Sequence, residues 1–163
     1  MRTFKDKNGV EIVGIGMHYE ERPIGRVFRT VGRTITEADL VNFVNATGFT
    51  EVLFTNQEFL KEESDIKGRV VPGALVYCMC EGLLMQVAMQ HTGFAFLEMN
   101  LKVDGPTFVG DTVYVECTVT EARKSASRGD RGLIRTTNRV INQRGEQVLT
   151  YTPLRFVKRL AES

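Results

Sequence analysis

Few groups in this sequence are placed to do chemistry. Glu81 is the only acid in the apolar run from Ala74 to Met89, and an acid in such surroundings needs a partner or a shifted pKa. It is a candidate for acid–base work, with a structural role as the favoured alternative. The two imidazoles are His18, in a charged and glycine-rich lead-in, and His91, just beyond the apolar run, where a helix C-terminus would favour its charged form. Both read as structural. Cys78 and Cys80 lie in the run and Cys117 in an alternating stretch. An odd cysteine count without framework spacing implies packed, reduced thiols, and C-x-C with two histidines in the chain is a poor zinc set. No metal is expected. Val71-Pro72-Gly73-Ala74 offers something different: backbone N–H groups without helical acceptors, at the positive end of a helix dipole, where a carbonyl oxygen could be held. Glycine at that point lets a ligand come close to the backbone.

The element that must position these groups is the apolar run itself. Residues Pro72 to Gln90 predict a helix of roughly 25 Å, with Pro72 in its first turn and Gly93 as the left-handed residue that closes it. A helix without a polar stripe must be surrounded by protein. It is too short and interrupted for a membrane span, which wants about 20 apolar residues. Ahead of it, Val27 to Ile35 alternates as a strand and Thr36-Glu37-Ala38-Asp39 reads as a capping box. An amphipathic helix follows, built on Leu40, Val41, Phe43, Val44 and Ala46 and stopped at Gly48. The long mixed connection from Gly48 to Val71 is of a kind that is usually functional or partly helical.

After the central helix the period changes to two. Leu97, Met99, Leu101 and Val103 alternate with polar neighbours, and Val113, Val115, Cys117 and Val119 do the same. Residues 124–131 read as a solvated hairpin loop and Asn142-Gln143-Arg144-Gly145 as a turn, while Pro153 marks an edge or a bulge. One long helix followed by four antiparallel strands predicts an α+β fold with a curved sheet rolled round that helix. Its remaining apolar face and free edge are expected to be completed by a second subunit.

The 163 residues are the size of one domain, 42% hydrophobic and 25% charged, so 1–163 reads as a single domain with 1–25 as a loosely packed lead-in. Twenty-one basic and twenty acidic residues leave a net charge of +1, which gives no global field to recruit nucleic acid or an anionic membrane. The first sixteen residues lack the apolar run of about 7 to 15 residues that a secretory signal needs, so a cytoplasmic location is expected.

Four blocks, VGRTITEADLVNFVNATG, GRVVPGALVYCMCEGLL, PTFVGDTVYVECTVTEAR and INQRGEQVLTY, taken in order, resemble the MaoC-like dehydratases, hot-dog-fold (R)-enoyl-CoA hydratases. The resemblance spans most of residues 24–158. It implies a homodimer with an acyl-thioester tunnel between subunits, a CoA thioester as ligand without further cofactor, and hydration or dehydration of a 2-enoyl-CoA. It also implies that Gly73 gives the oxyanion contact, with Pro72 and Ala74 beside the substrate. The family's acid–base pair is an Asp directly after the glycine that ends the first helix and a His five residues later. Here those positions hold Phe49 and Phe54, and phenylalanine neither gives nor accepts a proton.

Three readings follow from that departure. Nearby groups do the acid–base work: Thr50, Thr55 and Asn56 are within the segment, and Glu51 between phenylalanines is either a carboxyl of raised pKa or an exposed loop acid. Alternatively the pocket binds acyl-CoA without chemistry, Phe49 and Phe54 packing it or gripping the ligand. The third is a thioesterase, since some hot-dog thioesterases are similar in placing a catalytic carboxylate on the central helix, where Glu81 stands. Arg69 and Lys67 are candidates for a CoA phosphate, with scattered surface charge as the alternative.

Overall fold

A computed structural model of the chain describes residues 3–160. A small hairpin, β1 (Phe4–Lys5) and β2 (Glu11–Ile12), leads to a single 3-10 turn at Tyr19–Glu21 and to two short strands, β3 (Val27–Arg29) and β4 (Arg33–Thr34). Three helices follow, α1 (Glu37–Thr47), α2 (Val52–Thr55) and α3 (Gln57–Glu62), and then the central α4 (Gly73–Leu84), which continues as a π turn over Met85–Met89. The sheet strands after it are β5 (Gly93–Glu98), β6 (Leu101–Val103), β7 (Thr112–Lys124), β8 (Arg131–Asn142), β9 (Gln147–Tyr151) and β10 (Leu154–Lys158).

The main sheet is antiparallel in the order β3-β7-β8-β10-β5, with β4 beside β7 and with β9 joining β8 to β6. Its inner face carries Val113, Val115 and Cys117 from β7, Val140 from β8, and Leu149 and Tyr151 from β9. Against them α4 sets Leu75, Val76, Met79, Cys80 and Leu84. Each fully buried side chain of this size contributes about 1.5–3 kcal/mol, so this buried flank is a large part of what holds the helix to the sheet. The alternation expected in β7 is present residue by residue, Val113, Val115, Cys117 and Val119 buried between partly exposed neighbours. The turn at 142–145 closes as expected, the Gly145 N–H donating to the Asn142 carbonyl at 3.0 Å.

Several boundaries differ from the sequence reading. The stretch from Val27 to Ile35 is two strands, both pairing with β7. Pro72 is the residue before α4, extended at ψ 137°, so helical geometry begins at Gly73. The left-handed residue beyond the helix is His91, at φ 61°, and Gly93 opens β5. No closing glycine is needed because the last carbonyls are satisfied from outside. Gly16 and Met17 donate to Gln90 and Ala88 at 2.8 and 3.0 Å, and Thr92 Oγ1 donates to Ala88 at 3.1 Å. A Cβ at Gly16 would lie 2.5 Å from the Ala88 oxygen, so only glycine lets the two backbones meet there.

The lead-in is therefore not loose throughout: His18 and Arg22 are buried at 5% and 4% exposure. At the far end of the chain, Glu20 accepts from Arg159 Nε at 3.0 Å and from the Leu160 N–H at 2.9 Å. Pro153 lies between β9 and β10, both of which pair with β8, so it breaks an interior strand rather than an edge.

The expectation that α4 is surrounded also needs correction. Ala74, Cys78 and Met85 are exposed, one face left open. The strand expected through Leu97, Met99, Leu101 and Val103 breaks at Met99–Asn100, and β5 and β6 are exposed at every residue. Phe94, Phe96, Leu97, Leu101 and Val103 lie bare along that side. No described helix is long and apolar enough to cross a membrane.

Candidate functional site

The first candidate site begins at the end of α1. Thr36 and Asp39 cap that helix reciprocally, the Asp39 N–H to Thr36 Oγ1 at 3.2 Å and the Thr36 N–H to Asp39 Oδ2 at 2.8 Å. A cap of this kind contributes about 1 kcal/mol. Gly48, at φ 75°, closes the helix with its N–H on the Val44 carbonyl at 2.9 Å. The chain then delivers Phe49 and, five residues on, Phe54. The Phe49 ring meets Phe43 edge-on at 5.3 Å and lies 6.5 Å from Phe54. Phe49 is 41% exposed, whereas Phe54 packs against the main core.

The polar residues between and beyond them are turned onto their own backbone. The Glu51 carboxylate is exposed and accepts the Leu53 N–H at 2.8 Å, capping α2. Asn56 Oδ1 accepts from Glu58 and Phe59, each at 3.1 Å, capping α3. The Thr55 hydroxyl donates to the Glu51 carbonyl at 3.1 Å, and Thr50 is exposed. Glu51 and Asn56 thus show a capping role, and the Thr55 hydroxyl is held on a backbone carbonyl.

Arg69 ties this loop to the start of α4. Its guanidinium grips Glu37 of α1 through Nε and Nη2, at 2.6–3.1 Å, and donates through Nη1 to the Phe54 carbonyl at 2.6 Å. Arg69 thus serves the scaffold, and the Arg69 pairing holds the Glu37 carboxyl below the usual carboxylate range. Lys67 donates to the Lys61 carbonyl at 3.2 Å, and these two lysines with Arg69 line a cleft of about 380 Å³.

Gly73 opens onto a cavity of about 370 Å³ walled by Val71, Val76, Val103, Val148 and Leu149. A Cβ at Gly73 would sit 2.9 Å from Val103 Cγ2, so a side chain here would displace Val103. Pro72 is buried and Ala74 exposed beside it. At the rim Asp104 accepts from Lys102 at 2.8 Å, from Thr150 at 2.5 Å and from Gln147 at 3.0 Å. Hydrogen bonds from Lys102, Thr150 and Gln147 lower its pKa to about 2. Asp104 is a fixed anion near neutral pH and cannot act there as an acid. Sequence reasoning passed over it, and Gly-Pro directly after it was the only signal.

Glu81 belongs to a different place. It is buried under α4, where Oε1 accepts the Tyr151 hydroxyl at 2.8 Å and Oε2 accepts Arg155 Nη2 at 2.5 Å. Burial, with Glu81 alongside, pushes the Tyr151 phenol well above its ordinary pKa. Tyr77 meets Tyr151 edge-on at 5.2 Å. Tyr77, Glu81 and Arg155 line a second cavity, about 640 Å³, shared with Arg22, Met85, Phe94 and Phe96. Burial raises the Cys80 and Cys117 thiols to about 12, so neither is a nucleophile. Among the described residues no group of three or more His, Cys, Asp or Glu could hold a metal.

A helix laid in a rolled antiparallel sheet, with a phenylalanine-bearing loop tied to its N-terminus, is now in view. The family model of the FAS1-like dehydratase domain region matches residues 22–151. The chain belongs to this family. Solved structures agree on the fold. The MaoC-like dehydratase of Rhodospirillum rubrum is 24% identical over 90% of this chain and 100% of its own, with a TM-score of 0.80. The unliganded R-hydratase of Pseudomonas aeruginosa is 23% identical over 91% and 94%, at 0.73.

A Mycobacterium tuberculosis protein with a double hot-dog fold is 18% identical over 91% of this chain but only 46% of its own length, at 0.80. One dehydratase-family hot-dog domain of this size is thus about half of that relative. No curated protein sequence matches. The MaoC-like resemblance and the α+β hot-dog fold read from the sequence are both borne out.

Proposed function

We propose that this chain is an acyl-thioester-binding member of the hydratase-type hot-dog family that does not itself transfer the protons of hydration. The observation that carries it is the contrast between two halves of one site. Gly73 stands at the start of α4 and lines an apolar cavity, where the resemblance expects the oxyanion contact. Where the resemblance expects the family's Asp and His, this chain has Phe49 and Phe54, 6.5 Å apart, on the loop that Arg69 holds to α1. A thioester carbonyl can be bound by the first half, and the second supplies packing but no proton. A second hot-dog domain, in the simplest case a second copy of this chain, covers the open face of α4 and the exposed β5–β6 edge. That face has the features of an obligate interface: an unpaired strand edge with contiguous large apolar side chains.

Butyryl-CoA and crotonyl-CoA should therefore raise the melting temperature of the protein, since saturable binding stabilises by RT ln(1 + [L]/Kd). Crotonyl-CoA should not be hydrated, and light scattering should show a dimer. Turnover that Glu51→Gln abolishes would instead assign the chemistry to Glu51. A thioesterase acting through Glu81 would have to free a carboxylate already bound on both oxygens.

Gly73→Ala separates fold from site. One Val103 methyl must shift to admit the new methyl, so the melting temperature should fall by a few degrees. The methyl would stand between the ligand and its N–H donor, so affinity for butyryl-CoA should drop about tenfold, the size of one lost hydrogen bond. Calorimetric titration checks it, and an unchanged Kd would move the thioester away from Gly73.

A further inference from the structure

A cavity of about 350 Å³ lies where the start of the chain, the turn after α4 and the end of β10 come together. Its walls include none of the bare residues of α4, β5 and β6. The Met17 N–H on the Ala88 carbonyl and the Lys158 N–H on the Thr92 carbonyl, at 3.0 and 2.7 Å, fix the three segments against one another. Lys5, His18, His91 and Lys158 line the cavity with Arg159 beside them, and no acid is among its walls.

Arg159 is held by Glu20 at 3.0 Å, whereas among the described residues the Lys5 and Lys158 ammonium groups have no hydrogen bond or ion pair. His18 is the more unusual wall. It is 5% exposed, stacked on Phe4 at 5.1 Å, and its Nδ1 is sealed from water without a hydrogen bond. Glu21 Oε2 stops 3.5 Å from that nitrogen and accepts the His18 backbone N–H instead, at 2.8 Å. Buried polar atoms are nearly always bonded, so the exception needs a reason. Burial holds the His18 pKa below its ordinary value; the Glu21 and Glu20 carboxylates pull it up and Lys158 pushes it down.

We infer that this cavity binds a phosphate monoester carried on a small apolar body. Two uncompensated lysines match the nearly two negative charges of such a group near neutral pH, where a carboxylate would offset only one. Its oxygens can accept from all three chain segments at once, each bond charge-assisted. A phosphate also gives His18 a reason to take up a proton, with Nδ1–H toward Glu21 and Nε2–H toward the ligand. Phe4, Ile12, Ile15 and Leu160 supply the apolar wall. The volume lies within the usual size of small-molecule sites.

Calorimetric titration of the unaltered protein with phenyl phosphate, inorganic phosphate and benzoate tests this. Phenyl phosphate should bind at least about tenfold more tightly than either, the size of one charge-assisted hydrogen bond. Lys5→Gln and Lys158→Gln, at exposed positions that leave the fold intact, should each weaken it about tenfold, and Lys61→Gln on α3 should not. Gly73→Ala should leave it unchanged, which separates this site from the thioester site. From about pH 8 to about pH 7 the monoester stays mostly a dianion, yet its affinity should rise severalfold as His18 takes up a proton. His18→Phe, which keeps the stack on Phe4, should abolish that rise. No binding of phenyl phosphate, benzoate binding as tightly, or affinity indifferent to both lysine changes overturns the inference. Equal affinity for inorganic phosphate overturns the monoester assignment. A flat pH profile in the parent, or a rise that persists in folded His18→Phe, overturns the part given to His18.

Discussion

Glu81→Ala should lower the stability of the fold by about 3–5 kcal/mol, the cost of removing one partner from a buried ion pair. The Arg155 side chain is only 10% exposed, so the guanidinium would stay in the interior without its counter-ion. Tyr151, fully buried, would lose the acceptor of its hydroxyl at the same time. Glu81→Gln keeps the shape and an acceptor for Tyr151 and should cost less. The double change Glu81→Leu with Arg155→Met removes both charges and should recover most of the loss, since replacing a whole buried pair by apolar groups is often neutral or stabilising. Urea unfolding of the three variants measures this. A Glu81→Ala protein within about 1 kcal/mol of the parent would mean that the pair contributes as little as one on the surface.

Phe49→Asp combined with Phe54→His should raise hydration of crotonyl-CoA well above the level of the parent. General acid and base groups each contribute about 10²- to 10⁴-fold, so even an imperfectly placed pair should stand above background. Each single change should do far less, because groups acting as a unit are not additive. The two positions differ in what the fold tolerates. Phe49 is exposed enough for an aspartate to remain hydrated, while Phe54 packs on the core beneath Phe49, so the histidine carries most of the stability loss. Circular dichroism and melting must first show a native fold. A folded double variant that binds the enoyl thioester and stays inactive would mean that the parent scaffold no longer aligns a water with the double bond.

What could be read from the sequence was what is encoded locally. The α1 cap depends on residues three apart, the β7 face on alternate residues, and the turn at 142–145 on four neighbours. Each was placed where it is found. Phe49 and Phe54 drew attention in the sequence because they fall at a fixed distance from the glycine that ends α1.

The remainder rests on contacts between distant positions. Arg69 reaches Glu37 across 32 residues, Arg22 reaches Ala88 across 66, and Glu81 finds Tyr151 and Arg155 across 70 and 74. Neither partner of such a pair carries a local signature. Glu81 could therefore be recognised as an acid in need of something, but not as the partner of Arg155. The lead-in was misjudged for the same reason, since Gly16, Met17 and Arg22 gain meaning only from the helix end they meet.

The contact of Glu20 with Arg159 and Leu160 bears on the order in which the molecule assembles. It joins positions 139 and 140 residues apart, so nearly the whole chain must be in place before it can form, and little local structure prepares it. The closure entropy of such a loop is set against a few exposed hydrogen bonds. This clasp belongs after the folding barrier and at the low end of local opening free energy. Losing it should quicken unfolding and leave the rate of folding almost untouched.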